Sequence, residues 1–145
     1  MPVARNAAAT LVAPADAVRV TSPRGELAYW QLTPSVLATE VRGFMTHEMA
    51  RTIIERASPL FERQTRVHGF HNWLQMVNYE SACRVDLTAW ILQNRTKAFL
   101  HIAVTSRMVA MGVAVANMAL GNIISVYSDE KALSEALRKT LESER

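Results

Sequence analysis

Residues Phe99 to Ser128, FLHIAVTSRMVAMGVAVANMALGNIISVYS, carry two short apolar runs on either side of a helical stretch with almost no polar face. Phe99, Leu100, Ile102, Ala103 and Val104 are apolar without alternation, the pattern of a strand that helices cover on both faces of a parallel sheet. Ile123, Ile124, Val126 and Tyr127 form a second such run. Between them Met108 to Leu120 suffices for three helical turns, and Gly121-Asn122 supplies a C-terminal stop. A β-α-β unit with a right-handed crossover is therefore expected at the centre of an α/β domain.

A crossover helix needs one apolar stripe. This one offers Met108, Val109, Met111, Val113, Val115, Met118 and Leu120 around its whole circumference, with Asn117 as the polar exception. It falls short of the roughly 20 residues that span a bilayer, so no transmembrane segment is expected. Its outward side must instead meet more chain, a partner protein, a second copy or an apolar ligand. Gly112, with Ala110, Ala114 and Ala116, lets another backbone approach closely. Either Met111, Val115 and Met118 or the opposite set Val109, Val113 and Leu120 is expected at a homodimer contact.

Upstream, Val18 to Thr21 and Leu27 to Thr33 read as strands about the turn Ser22-Pro23-Arg24-Gly25. Tyr29 and Trp30 point to opposite faces. Val36 to Met45 continues as a strand whose second face, with Glu40 and Arg42, is half polar, which places it nearer a sheet edge. Thr46 caps a helix with Met49, Ile53 and Ala57 as its buried stripe, which Pro59 should end or kink. Val67 to Trp73 reads as a short strand and Leu74 to Ser81 as a connection. A helix follows from about Ala82 to Arg95, with Cys83, Leu87, Trp90 and Ile91 inward and Val85, Ala89 and Leu92 broadening the apolar face. Ser128 or Asp129 caps a last helix striped by Leu133, Ala136, Leu137 and Leu141. The prediction is one α/β domain over 18–145, a mixed sheet of about five to six strands with about four helices. The Ala-rich residues 1–17 are expected to be a disordered or loosely attached tail.

This element order, the run Gly43-Phe44-Met45-Thr46 from strand into first helix, and the segment Trp73 to Arg84 together resemble the STAS superfamily of sulfate transporter and anti-sigma-factor antagonist domains, especially its shorter STAS/SEC14-like bacterial branch. The likeness extends from about Val18 to Leu141. It implies a non-enzymatic signalling module that binds proteins, and distant kinship with lipid-transfer folds implies an alternative, a carrier of an apolar small molecule or lipid. In anti-sigma antagonists the loop before the second helix carries an Asp-Ser pair whose serine is phosphorylated. Ser81 is the nearest match here, at the position of a helix N-cap, but Asp-Ser-x-Gly is absent.

The candidate interaction site gathers two groups. Tyr79, Glu80, Ser81 and Arg84 are the densest polar cluster, and Ser106 and Arg107, after Thr105, end the central strand on the same sheet edge, where ligands and partners of open α/β sheets bind. Met108, Met111, Val115 and Met118 add the apolar face. His68-x-x-His71 has a metal-like spacing, but residues three apart on a strand face opposite ways, so structural histidines and no metal are expected. His47, Glu48, His101 and Ser106 lack a nucleophile elbow, and five scattered glycines make no phosphate loop, so no catalytic residue and no cofactor is assigned. With 16 Lys+Arg against 13 Asp+Glu and no basic stripe, nucleic acid is not an expected partner. The single cysteine excludes an internal disulfide, and residues 7–13 imitate an export signal too weakly to displace a cytoplasmic location.

Overall fold

The computed structural model describes residues 11–144. The chain order is β1 (Val18–Ser22), β2 (Gly25–Thr33), β3 (Val36–Met45), α1 (His47–Arg63), β4 (Val67–Tyr79), α2 (Ser81–Gln93), β5 (Ala98–Val104), α3 (Arg107–Ala119), β6 (Ile124–Tyr127) and α4 (Glu130–Ser143). The six strands lie in sequence order in one sheet, β1 to β3 antiparallel and β3 to β6 parallel. Each parallel step is a crossover through one helix, as the apolar runs around α3 predict, but the β5-α3-β6 unit expected at the centre of the domain ends on the edge strand β6.

The helices divide unequally between the faces. α1, α2 and α3 cover one face, over a core that includes Leu27, Tyr29, Val41, Met45, Ile53, Trp73, Met76 and Leu100. On the other, α4 packs Leu133 and Leu137 on Phe70 and Ala103, and Leu11 joins Trp30 and Ala38. Tyr29 and Trp30 thus face opposite cores, both buried. Residues 1–10 of the expected tail lie outside the described residues, whereas Leu11 is only 2% exposed, so the end of that stretch is packed rather than loose. Its apolar side chain closes a part of the second face that α4 leaves open.

Several local expectations are corrected. α1 runs on through Pro59 to Arg63, because packing of Leu60 and Phe61 outweighs the one backbone hydrogen bond that proline removes. β3 is an inner strand, flanked by β2 and β4. Its polar residues lie instead where helical cover stops: Glu40 and Arg42 pair at 3.2 Å and Arg19 and Glu26 at 3.6 Å on the solvent side of β1 to β3. On α2, Val85, Ala89 and Leu92 are exposed and broaden no buried face.

The largest revision concerns β4, which continues six residues past Trp73 to Tyr79 instead of becoming a connection. Against β3 its register slips between Asn72 and Gln75 and again between Met76 and Asn78. Each slip is a bulge that reverses the in–out alternation. Gly69, His71 and Trp73 therefore share a face with Met76 and Tyr79, and a search for strict alternation loses the strand at Leu74. Gly43, in β3 rather than in a turn, has φ +75°, and a Cβ there would lie 2.3 Å from the Arg24 carbonyl oxygen. Gly43→Ala is expected to cost about 1–3 kcal/mol, read as a lower urea midpoint at unchanged slope.

Candidate functional site

The structure decides which side of α3 is free. Val109, Gly112, Val113 and Leu120 are buried, while Met108, Met111, Val115 and Met118 are 56%, 66%, 51% and 78% exposed. Spacings of three, four and three residues hold these four in one stripe along the helix. No charged side chain follows Arg107 in α3. Ser106 caps the helix through Val109 N–H (3.4 Å), and its hydroxyl donates to the Val77 carbonyl (3.1 Å), while Thr105 donates to the Leu74 carbonyl (2.7 Å). The extended end of β4, where Val77 is exposed, is thereby tied to the start of α3.

The polar cluster of the β4–α2 junction is brought together in part. Tyr79 runs beneath α3, where a Cβ on Gly112 would meet its hydroxyl at 2.0 Å, so Gly112 serves the contact within the chain. Glu80 holds the cap position of α2 without a side-chain cap bond; its carboxylate accepts from His47 N–H at the start of α1, 2.9 Å away. Ser81 is the first helical residue, exposed, and not the N-cap that its sequence position suggests. Arg84 is half-buried and Arg107 exposed. His47 also bonds Asp86 at 2.5 Å, an α1–α2 tie that sequence spacing did not reveal.

Beneath α2 and α3 lies a cavity of about 100 Å³. Trp73, Trp90, Met45, Met76, Leu100 and Val113 supply much of its apolar wall, and His71 and Gly69 on β4 its floor. Trp73 Nε1–H donates to the Thr39 hydroxyl (3.1 Å), which lies 2.7 Å from His71 Nδ1. Thr39 and His71 are buried. Sequence reasoning set His71 aside with His68; the available signal was Gly69, since a glycine inside a strand marks close approach or open space.

No protein-family model and no curated protein matches the chain. Among solved structures, it is similar to an uncharacterized protein of the DUF3478 family from Shewanella loihica PV-4, described as having a SpoIIAA-like fold. The two agree with a TM-score of 0.56 at 14% identity, over 81% of this chain and 98% of that one. This chain has a SpoIIAA-like, STAS-type fold. At that identity the likeness concerns the backbone, so the side chains of the SpoIIAA-like domain must speak for its function. Among its described residues, no helix is long and apolar enough to cross a membrane.

The histidines of the SpoIIAA-like domain divide between the sheet faces. His68 stacks on Phe99 and sits 3.7 Å from Glu144, the C-cap of α4; His101 stacks on Phe70 and bonds the Tyr127 hydroxyl at 2.8 Å. His71 faces the cavity side, so the His-x-x-His pair does not converge. Burial, then the neighbouring His101, pushes His71 down to about 3; burial, then His68, pushes His101 down to about 4. Both lie below the unfolded value of about 6.5, so protons favour the unfolded chain. Their contribution to stability is complete above about pH 6.5 and declines as pH falls toward 4 and 3. The expected slope is about 1.4 kcal/mol per pH unit for His71, with a smaller, solvent-screened addition from His101. Urea midpoints at pH 7.5, 6 and 5 measure it, and identical midpoints at pH 7.5 and 5 would refute it.

Proposed function

We propose that this SpoIIAA-like domain is a non-enzymatic regulatory module that binds a protein partner, in the first instance its own copy, through the outer stripe of α3 and the adjoining end of β4. The supporting observation is the stripe itself: Met108, Met111, Val115 and Met118, each more than half exposed on a helix without charge after Arg107. It forms an apolar patch on the order of 400 Å², comparable to the largest patch on ordinary monomers. Covering that much contributes about 10 kcal/mol before the costs of association. A two-fold axis beside α3 would set stripe against stripe, and methionines adapt to such self-complementary packing.

Light scattering of the purified protein over a range of concentrations tests this reading. The dimer mass is expected, and Met111→Glu is expected to give the monomer with stability within about 0.5 kcal/mol of the parent, because the side chain faces solvent. A monomer at the highest concentration would remove self-association.

One observation favours a second reading, a carrier of an apolar small molecule: the cavity beneath α2 and α3. At about 100 Å³ it suits a small guest rather than a whole lipid.

A further inference from the structure

Resting on that second reading, we infer that the cavity is a binding site for a neutral, single-ring apolar molecule carrying one hydrogen-bond acceptor, which the His71 Nε2–H group engages at the cavity floor. Size sets the first limit. A dry engineered cavity of about 150 Å³ admits benzene, so at about 100 Å³ a single ring with a short substituent is the upper limit, and it enters only as the flexible Met45 and Met76 of the wall give way.

Chemistry sets the second limit. The Trp73 indole is only a donor, so its bond to Thr39 Oγ1 makes the hydroxyl an acceptor there. The hydroxyl has a second lone pair that could take an Nδ1–H, but its own hydrogen would then find no acceptor among the described residues; donation to His71 Nδ1 at 2.7 Å satisfies it and leaves the ring's hydrogen on Nε2. Among the described residues no protein group accepts from Nε2. That nitrogen borders the space left by Gly69, where a Cβ would stand 2.7 Å from it. His71 is 7% exposed and its Nε2 is not wholly sealed from the open space, so a ligand that brings an acceptor gains a hydrogen bond at this spot. A carboxylate would have to shed its water among apolar walls beside a neutral ring, whereas a ketone or ether oxygen sheds far less. The nearest cationic liner, Arg84, belongs to α2 rather than to the floor.

The experiment is an NMR titration of the full chain, following the Trp73 indole and Gly69 amide signals, with three probes: acetophenone, its isostere α-methylstyrene, in which a methylene replaces the carbonyl oxygen, and benzoate. Acetophenone is expected to bind saturably, α-methylstyrene roughly three- to tenfold more weakly for want of one hydrogen bond, and benzoate more weakly than either. In His71→Phe the gap between the first two should close. Ala116→Leu, which fills the cavity from α3 without touching the network, should abolish binding of both and keep the chain folded, so the inference stays testable if His71→Phe does not fold. Long-range ¹H–¹⁵N spectra should show the Nε2–H tautomer in the free protein. Equal affinity for acetophenone and α-methylstyrene, or an Nδ1–H tautomer, would overturn the role of His71 while leaving the carrier reading intact. Tighter binding of benzoate would overturn it in favour of an anion site at Arg84. No binding of any probe, or unchanged binding by Ala116→Leu, would overturn both.

Discussion

Strand β4 is the constraint on which the other elements depend. It has neighbours on both edges and helices on both faces, so each side chain from Val67 to Trp73 belongs to one layer or the other. Phe70 goes to the layer under α4, where it stacks on His101, and Val67, Gly69, His71 and Trp73 go to the layer under α1 to α3. A single residue of slippage would exchange the two sets and bury the wrong surfaces. The two bulges are the controlled form of such a slip: they return Met76 and Tyr79 to the three-helix side at the end where α3 crosses.

The architecture was legible wherever one periodicity held for the length of an element. The unbroken apolar runs of β5 and β6 and the stripe Leu133, Leu137 of α4 gave strands and helix at nearly their observed bounds. Legibility failed where a tertiary contact overrode a local rule. Pro59 reads as an end or a kink with Leu60 and Phe61 packed in a last turn; both do pack, and because they have a core to enter the helix carries on to Arg63. The charges of Glu40 and Arg42 read as a strand edge, although they mark only the limit of helical cover. For α3, an all-apolar circumference has no phase, and only the position of the sheet distinguishes Val109 from Met108.

The same contrast separates the two parts of the candidate site. The stripe on α3 was visible as an excess of apolar residues, since its members sit close together in sequence. The cavity was not, because Thr39, Gly69, His71 and Trp73 come from two strands and converge only through the parallel register that sets Thr39 beside His71. Conversely, the polar run Tyr79 to Arg84 looked like a site because it is dense in sequence, and its members are largely engaged within the fold: Tyr79 under Gly112, Glu80 on the start of α1. Local density of polar residues reports on capping and helix junctions as readily as on ligands.

A polar network in the floor of an apolar layer is difficult to explain by stability alone. Replacing Thr39 and His71 by apolar residues of similar shape would remove two groups that must find partners in the dry, at little loss of packing. Gly69 belongs to the same arrangement, since a Cβ there would stand 2.7 Å from His71 Nε2 and the ring held by Thr39 needs the glycine beside it. The opposite face of the same sheet shows the alternative, with Phe70 and Ala103 under Leu133 and Leu137, all four fully buried. One face is thus filled and the other holds an opening with a donor at its base. The shared fold at 14% identity accounts for the sheet and helices, and the side-chain choices that fill one face and leave the other open have to be explained from this chain's own residues.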